Sequence, residues 1–160
     1  VQLGTINNAS GANGYGDFTL LSTKLVRGVN NTIKITPVWP REPGDEGYGV
    51  WIDYNRDGDF YDAGEMVWSK EAVSVSPATG SFKVPASAAL GATRLRVSIA
   101  SIYIPGSCDA IIYGETEDYT VNIVSSATAK PSDMEVSESS ATERPGASEE
   151  EAGSSNLLAL

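Results

Sequence analysis

Turn-forming residues break this chain at short intervals: Asn13-Gly14, Arg27-Gly28, Pro43-Gly44, Asp57-Gly58, Pro77, Thr79-Gly80, Leu90-Gly91 and Pro105-Gly106. Glycine tolerates positive φ and proline fixes its own, so each site bends or reverses the backbone. No stretch of about a dozen residues combines helical periodicity with freedom from these breakers. The segments between them alternate with period two. Ile33 and Ile35, with Trp39 beyond, alternate with Lys34 and Thr36; Val50, Ile52 and Tyr54 alternate with Trp51 and Asp53. Leu95, Val97 and Ile99 alternate with Arg94, Arg96 and Ser98, and Tyr119, Val121 and Ile123 with Thr120 and Asn122, while Phe82 and Val84 flank Lys83. Such alternation places one set of side chains on one face of a sheet. The best helical segment, Ala86–Leu90, amounts to about one turn. The pattern predicts an all-β domain over residues 1–124, an antiparallel β-sandwich of about seven or more strands.

The pattern stops near Ser125. Residues 125–160 hold nine Ser and seven acidic residues against two basic ones, with almost no aromatic or β-branched side chains. Such a segment buries too little apolar surface to offset its chain entropy. It reads as an acidic linker or extended C-terminal tail, ending in Leu157, Leu158 and Leu160. That apolar end suits the start of a further element, a sticky end that docks on a partner, or a frayed terminus.

Absences narrow the chemistry. The chain has no His, which removes Ser-His-Asp and Cys-His catalysis and the usual zinc and copper sites. Its single Cys, Cys108, excludes an internal disulfide. A formal charge of −10 disfavours nucleic-acid binding, and no apolar run approaches a membrane span. Starting at Val1, the chain reads as a processed product or a fragment.

Residues 51–65, WIDYNRDGDFYDAGE, concentrate five acids. Asp53, Asn55 and Asp57 are spaced i, i+2, i+4, and Gly58 follows, matching the first half of a calcium loop. A hard cation needs several oxygens converging at about 2.3–2.6 Å, and alternate residues of a tight loop aim theirs at one point. Asp59 is expected to add its backbone carbonyl, and Phe60 to anchor the loop on the core. The twelfth position, Gly64, lacks the closing Glu of a helix-loop-helix site, so closure falls to Asp62 or Glu65. The expectation is a structural Ca2+ site between two strands, built from Asp53, Asn55, Asp57, Asp59, Asp62 and Glu65. The alternative is a solvated acidic turn neutralised by Arg56, Arg41 or Lys70.

Glu115, Glu117 and Asp118 form a second acidic group. They are expected to pair with Arg94 and Arg96 on one face of a strand, the alternative being a second ion or completion of the first. Nothing assigns any acid pair to a glycosidase-like cleft, so no enzyme is expected. Among the aromatics, Trp39 and Tyr48 flank a Pro/Gly-rich loop and are the candidates for stacking on sugar rings. Trp51, on a strand, reads as packed. Asn8-Ala9-Ser10 and Asn30-Asn31-Thr32 are glycosylation sequons.

The 51–65 loop, then FKVPASAALGATRLRVS, then Cys108 with YGETEDYTVNI, resembles the GEVED domain, and INNASGANGYGDFT with STKLVRG resembles its N-terminal half. The likeness covers about residues 3–124, and the namesake motif reads Gly114-Glu115-Thr116-Glu117-Asp118, with Thr for the central Val. The resemblance implies a β-rich, non-catalytic accessory module of exported bacterial proteins of Bacteroidetes-like type, attached to secreted peptidases and other surface proteins. It also implies a Cys-bearing segment ahead of the first strand, lacking here, as a partner for Cys108. In exported members such domains precede a C-terminal sorting domain, which the acidic linker would suit.

The functional expectation is a calcium-stabilised β-sandwich of a secreted or cell-surface protein, acting in adhesion, glycan contact or spacing. The polysaccharide or other glycan is its expected partner, without nucleic acid or membrane insertion. The rival is a self-assembling subunit of an extracellular filament or coat, using strand edges and the tail.

Overall fold

The computed structural model describes residues 1–39 and 42–126. Nine strands follow one another: β1 Gln2–Leu3, β2 Ile6–Asn7, β3 Tyr15–Val26, β4 Asn30–Ile35, β5 Glu46–Ile52, β6 Met66–Val73, β7 Ala78–Lys83, β8 Gly91–Ser101 and β9 Gly114–Val124. They form a four-stranded sheet, β2-β1-β4-β7, and a five-stranded sheet, β3-β9-β8-β5-β6. The core lies between them. Leu3, Ile33, Ile35 and Phe82 of the smaller sheet meet Val50, Leu95, Val97, Tyr119 and Val121 of the larger, all buried. The all-β sandwich predicted from alternation is therefore the fold. It departs from a fully antiparallel arrangement at one pair, since β3 runs parallel to β9.

Strand β7 shows why alternation was readable, because Ala78, Gly80 and Phe82 point inward and Thr79, Ser81 and Lys83 outward. Strand β5 breaks the rule and is buried on both faces. Its inward side chains, Tyr48, Val50 and Ile52, belong to the core. Its outward positions are Gly47, Gly49 and Trp51. A Cβ at Gly47 would strike the Tyr103 carbonyl, and one at Gly49 the Trp51 ring. The segment after β8 thus folds back over this strand, and only glycine leaves room for it. Gly47→Ala is expected to cost about 1–3 kcal/mol of stability, as overpacking does. A urea midpoint equal to wild type would show that the close approach is not needed.

Ala86–Leu90, the helical candidate, is a turn. The Ala89 N–H goes to the Tyr54 carbonyl at 2.7 Å, tying this turn to the 53–65 loop instead of to a helical partner. Of the tail expected over 125–160, only Ser125 and Ser126 are among the described residues. Its apolar end at Leu157, Leu158 and Leu160 lies outside them, as does Arg41.

Candidate metal site

The acidic loop leaves the end of β5 and returns into β6. Asp53 fixes its root. The Asp53 N–H donates to the Arg94 carbonyl at 3.1 Å, and the Asp53 carbonyl accepts from the Thr93 hydroxyl at 2.7 Å. Its buried carboxylate accepts from the Arg56 amide at 2.6 Å and the Gly58 amide at 3.2 Å, curling the chain around itself. Gly58 has φ +97°, the left-handed backbone that glycine adopts without strain.

Beyond Asp53 the side-chain oxygens repeat one local bond. Asn55 accepts from the Asp57 amide at 3.0 Å, Asp57 from the Asp59 amide at 3.2 Å, and Asp59 from the Tyr61 amide at 2.9 Å. Each is a side chain bonding the backbone two residues on, a turn device of Asn and Asp. The ladder gathers carboxylate oxygens of Asp57, Asp59 and Asp62 within 4.8 Å of one another. These three could hold a metal ion. Asp59 joins them through its carboxylate, whereas its spacing suggested the backbone carbonyl.

Asn55 stands at the same point. Its Nδ2 donates to Asp57 at 2.8 Å and to Asp62 at 2.6 Å. The amide places partial positive charge between two carboxylates, and a half-turn about its last bond presents Oδ1 there instead. The Asp59 amide, followed by the Asn55 side chain, holds the Asp57 carboxyl below its ordinary range. No Lys or Arg among the described residues pairs with the loop acids. Arg56 turns away and donates to the Leu90 carbonyl at 2.9 Å.

Glu65 lies beneath the loop. It is 2 % exposed. Its Oε1 accepts from the Tyr54 amide at 2.9 Å, and its Oε2 is buried without a partner. Burial pushes its carboxyl up, against the pull of the Tyr54 amide. A buried carboxylate oxygen without a donor is unfavourable unless something electropositive reaches it. Thus Asp57, Asp59, Asp62 and Asn55 converge near the surface, while Asp53 and Glu65 hold the loop from below.

Phe60 anchors the loop on the outer face of the larger sheet, not in the core between sheets. Its ring carries the Arg96 guanidinium at 5.1 Å and lines a shallow depression with Trp51, Tyr61 and Cys108. Cys108 is free and exposed.

The second acidic group splits by strand face. Asp118 points outward, fully buried beneath its cations. It accepts from Arg96 Nε at 2.8 Å and Nη2 at 2.7 Å, from the Tyr15 hydroxyl at 3.0 Å, and pairs with Arg94 at 3.5 Å. Glu115 and Glu117 are four and two residues before the inward Tyr119 and share its face, so they do not join the expected pairs with Arg94 and Arg96. Period two alone was enough to separate them.

The stacking candidates fare differently. Tyr48 is fully buried, packed against Trp68 with its hydroxyl donating to the Val75 carbonyl at 3.3 Å, so it offers no face to a sugar. It lies within β5 and not in the loop, two residues before Val50 and on the same inward face. Trp39 is half-buried in the loop after β4, its Nε1 donating to Glu46 at 3.1 Å. It precedes β5 and the acidic loop follows β5, so the two lie a strand's length apart, about 20 Å. The freely exposed aromatic rings are Tyr61 and Tyr113, at 74 % and 78 %.

No helix among the described residues is long and apolar enough to cross a membrane. No curated protein matches the chain. Among known families, the GEVED domain matches residues 47–122, a span from β5 through the acidic loop to β9. Residues 3–46, which the resemblance also took in, fall outside the match. The loop, four of the five strands of the larger sheet and the Gly114–Asp118 motif lie in that span, so over residues 47–122 this chain is similar to the GEVED domain.

Proposed function

We propose that this chain is a calcium-stabilised, non-catalytic β-sandwich module of an extracellular protein, serving adhesion, glycan contact or spacing. The observation that carries it is the convergence of Asp57, Asp59 and Asp62 above a buried Glu65 oxygen that has no partner. Three carboxylates without a paired cation repel one another, and a divalent ion reverses the sign of that interaction. The donor set is all oxygen, and the chain has no His to supply a nitrogen ligand. That favours calcium over zinc, and a flexible loop of carboxylates suits calcium better than the strict octahedron of magnesium. The ion's role is to fix the loop: every acid near it is engaged in holding the chain. Extracellular modules bind calcium at about 10⁻⁴–10⁻³ M, within reach of an exposed site like this one.

Titration calorimetry of the EDTA-treated chain tests the reading. The expected result is one calcium bound per chain, little heat with magnesium, and loss of calcium binding in Asp57→Asn/Asp62→Asn. Absence of a calcium isotherm, or equal binding of magnesium, overturns it.

A further inference from the structure

Glu115 and Glu117 project into the space between the sheets, at the end where β4 finishes and β9 begins. There the sandwich opens into a cleft of about 470 Å³, lined by Ile35, Pro37, Val97, Ile99 and the two glutamates. That volume is in the range of small-molecule sites.

Two acids face one cation here: the Val1 amino group acts on both across the cleft, which leaves the pair with a net negative charge. Glu117 is 5 % exposed. Its Oε2 accepts from the Tyr119 hydroxyl at 2.6 Å, and Asn8 Nδ2 donates to that hydroxyl at 3.0 Å. This relay fixes one oxygen and leaves Oε1 with no donor among the described residues. Glu115 receives the Asn13 amide at 3.2 Å. Burial pushes its carboxyl up, and the neighbouring Glu117 charge adds to the effect. Neither acid has an ion pair among the described residues, where both pairs go to Asp118. The Val1 amino group stands at the lip, bonded to the Asn8 carbonyl at 2.8 Å.

Inward positions further along β9 are Tyr119, Val121 and Ile123, all core. Two carboxylates at the preceding inward positions are unfavourable unless they meet positive charge. We propose that the cleft binds a small organic ammonium, its charged head between Glu115 and Glu117 and its aliphatic body against Ile35, Val97 and Ile99. A hydrated metal ion, which Asn7, Asn8, Ser10 and Thr36 of the lining could also help to hold, would gain nothing from the apolar wall of Ile35, Val97 and Ile99. The site is independent of the calcium reading and lies at the opposite end of the sheet.

The chain is titrated with n-hexylammonium, followed by backbone amide NMR shifts, with n-hexanol as the neutral control. Saturable shifts at Asn13, Val97 and Glu117 are expected, with hexanol at least about tenfold weaker. Glu115→Gln, at the lip, is expected to remove most of that preference. Ala12→Trp, on the exposed loop beside the cleft, is expected to block binding without touching the core. Nα-acetyl-lysine amide separates the source: binding equal to hexylammonium points to a partner's lysine, weaker binding to a free amine, and both uphold ammonium recognition. Equal affinity for hexanol and hexylammonium, binding unchanged in Glu115→Gln, or no saturable binding would each overturn the proposal.

Discussion

Calcium at a hundredfold excess over its Kd is expected to raise the melting temperature of the EDTA-treated domain by roughly 10 °C. The stabilisation comes from binding the folded state alone, about 2.7 kcal/mol at that excess. For a domain of this size each kcal/mol shifts the midpoint by about 4 °C. Magnesium serves as the control and is expected to shift the melt little. Asp57→Ala separates metal from fold. Without calcium this variant should melt close to wild type, because relief of the repulsion among three carboxylates offsets the loss of the exposed bonds to the Asp59 amide and Asn55. With calcium it should fall well below, because the ion loses one of the three carboxylates that would hold it. A melt that ignores calcium, or a calcium shift that survives in Asp57→Ala, would sink the metal assignment and leave the sandwich standing.

The second large effect is on the outer face of the same sheet, beside the Phe60 anchor of the loop. Arg96→Met is expected to destabilise the domain by about 3–5 kcal/mol, as removal of one partner from a buried pair does. Asp118 is fully buried and takes two bonds from the Arg96 guanidinium. Arg94 is farther away, at 3.5 Å, and half-exposed. Losing Arg96 also frees the Ser107 carbonyl, bonded at 2.8 Å, and uncovers Phe60. Arg96→Lys should recover only part of the loss, since an ammonium cannot reproduce the two-pronged contact. Asp118→Asn should cost less than Arg96→Met, because the Arg96 side chain retains 16 % exposure and some access to water. Urea unfolding with calcium held constant measures all three. A loss below about 1 kcal/mol for Arg96→Met would mean that Asp118 finds other solvation.

Sequence legibility followed the range of the forces involved. The acidic loop was readable because its bonds span two or three residues, so spacing alone aligns the oxygens. Strands β7, β8 and β9 were readable because one face meets the core and the other does not. Strand β3 escaped because its register shifts between Phe18 and Ser22, which scrambles the alternation. Strand β6 escaped because it is an edge strand, half-exposed along most of its length. Tyr48 was misplaced because the Pro/Gly-rich run ahead of it obscures where β5 begins; its side chain is an inward one and enters the core. The cover over the outward face of β5 comes from the segment after β8, some fifty residues away in sequence, and only glycines at 47 and 49 hint at it. The pairing of β3 with β9 is equally non-local, and nothing in either strand announces its direction.

That parallel pair has a mechanical consequence. Suppose the domain is stretched by the chain entering before β3 and the chain leaving after β9. In an antiparallel terminal pair both pulls can act at one end, and the hydrogen bonds open one at a time. Here β3 and β9 run the same way, so the pulls act at opposite ends of the pair. The strands must slide along each other, and their cross-strand bonds share the tension at once. The two-residue strands β1 and β2 would yield first. What remains resists by shear, the geometry expected of a link that must stay folded while its neighbours are pulled.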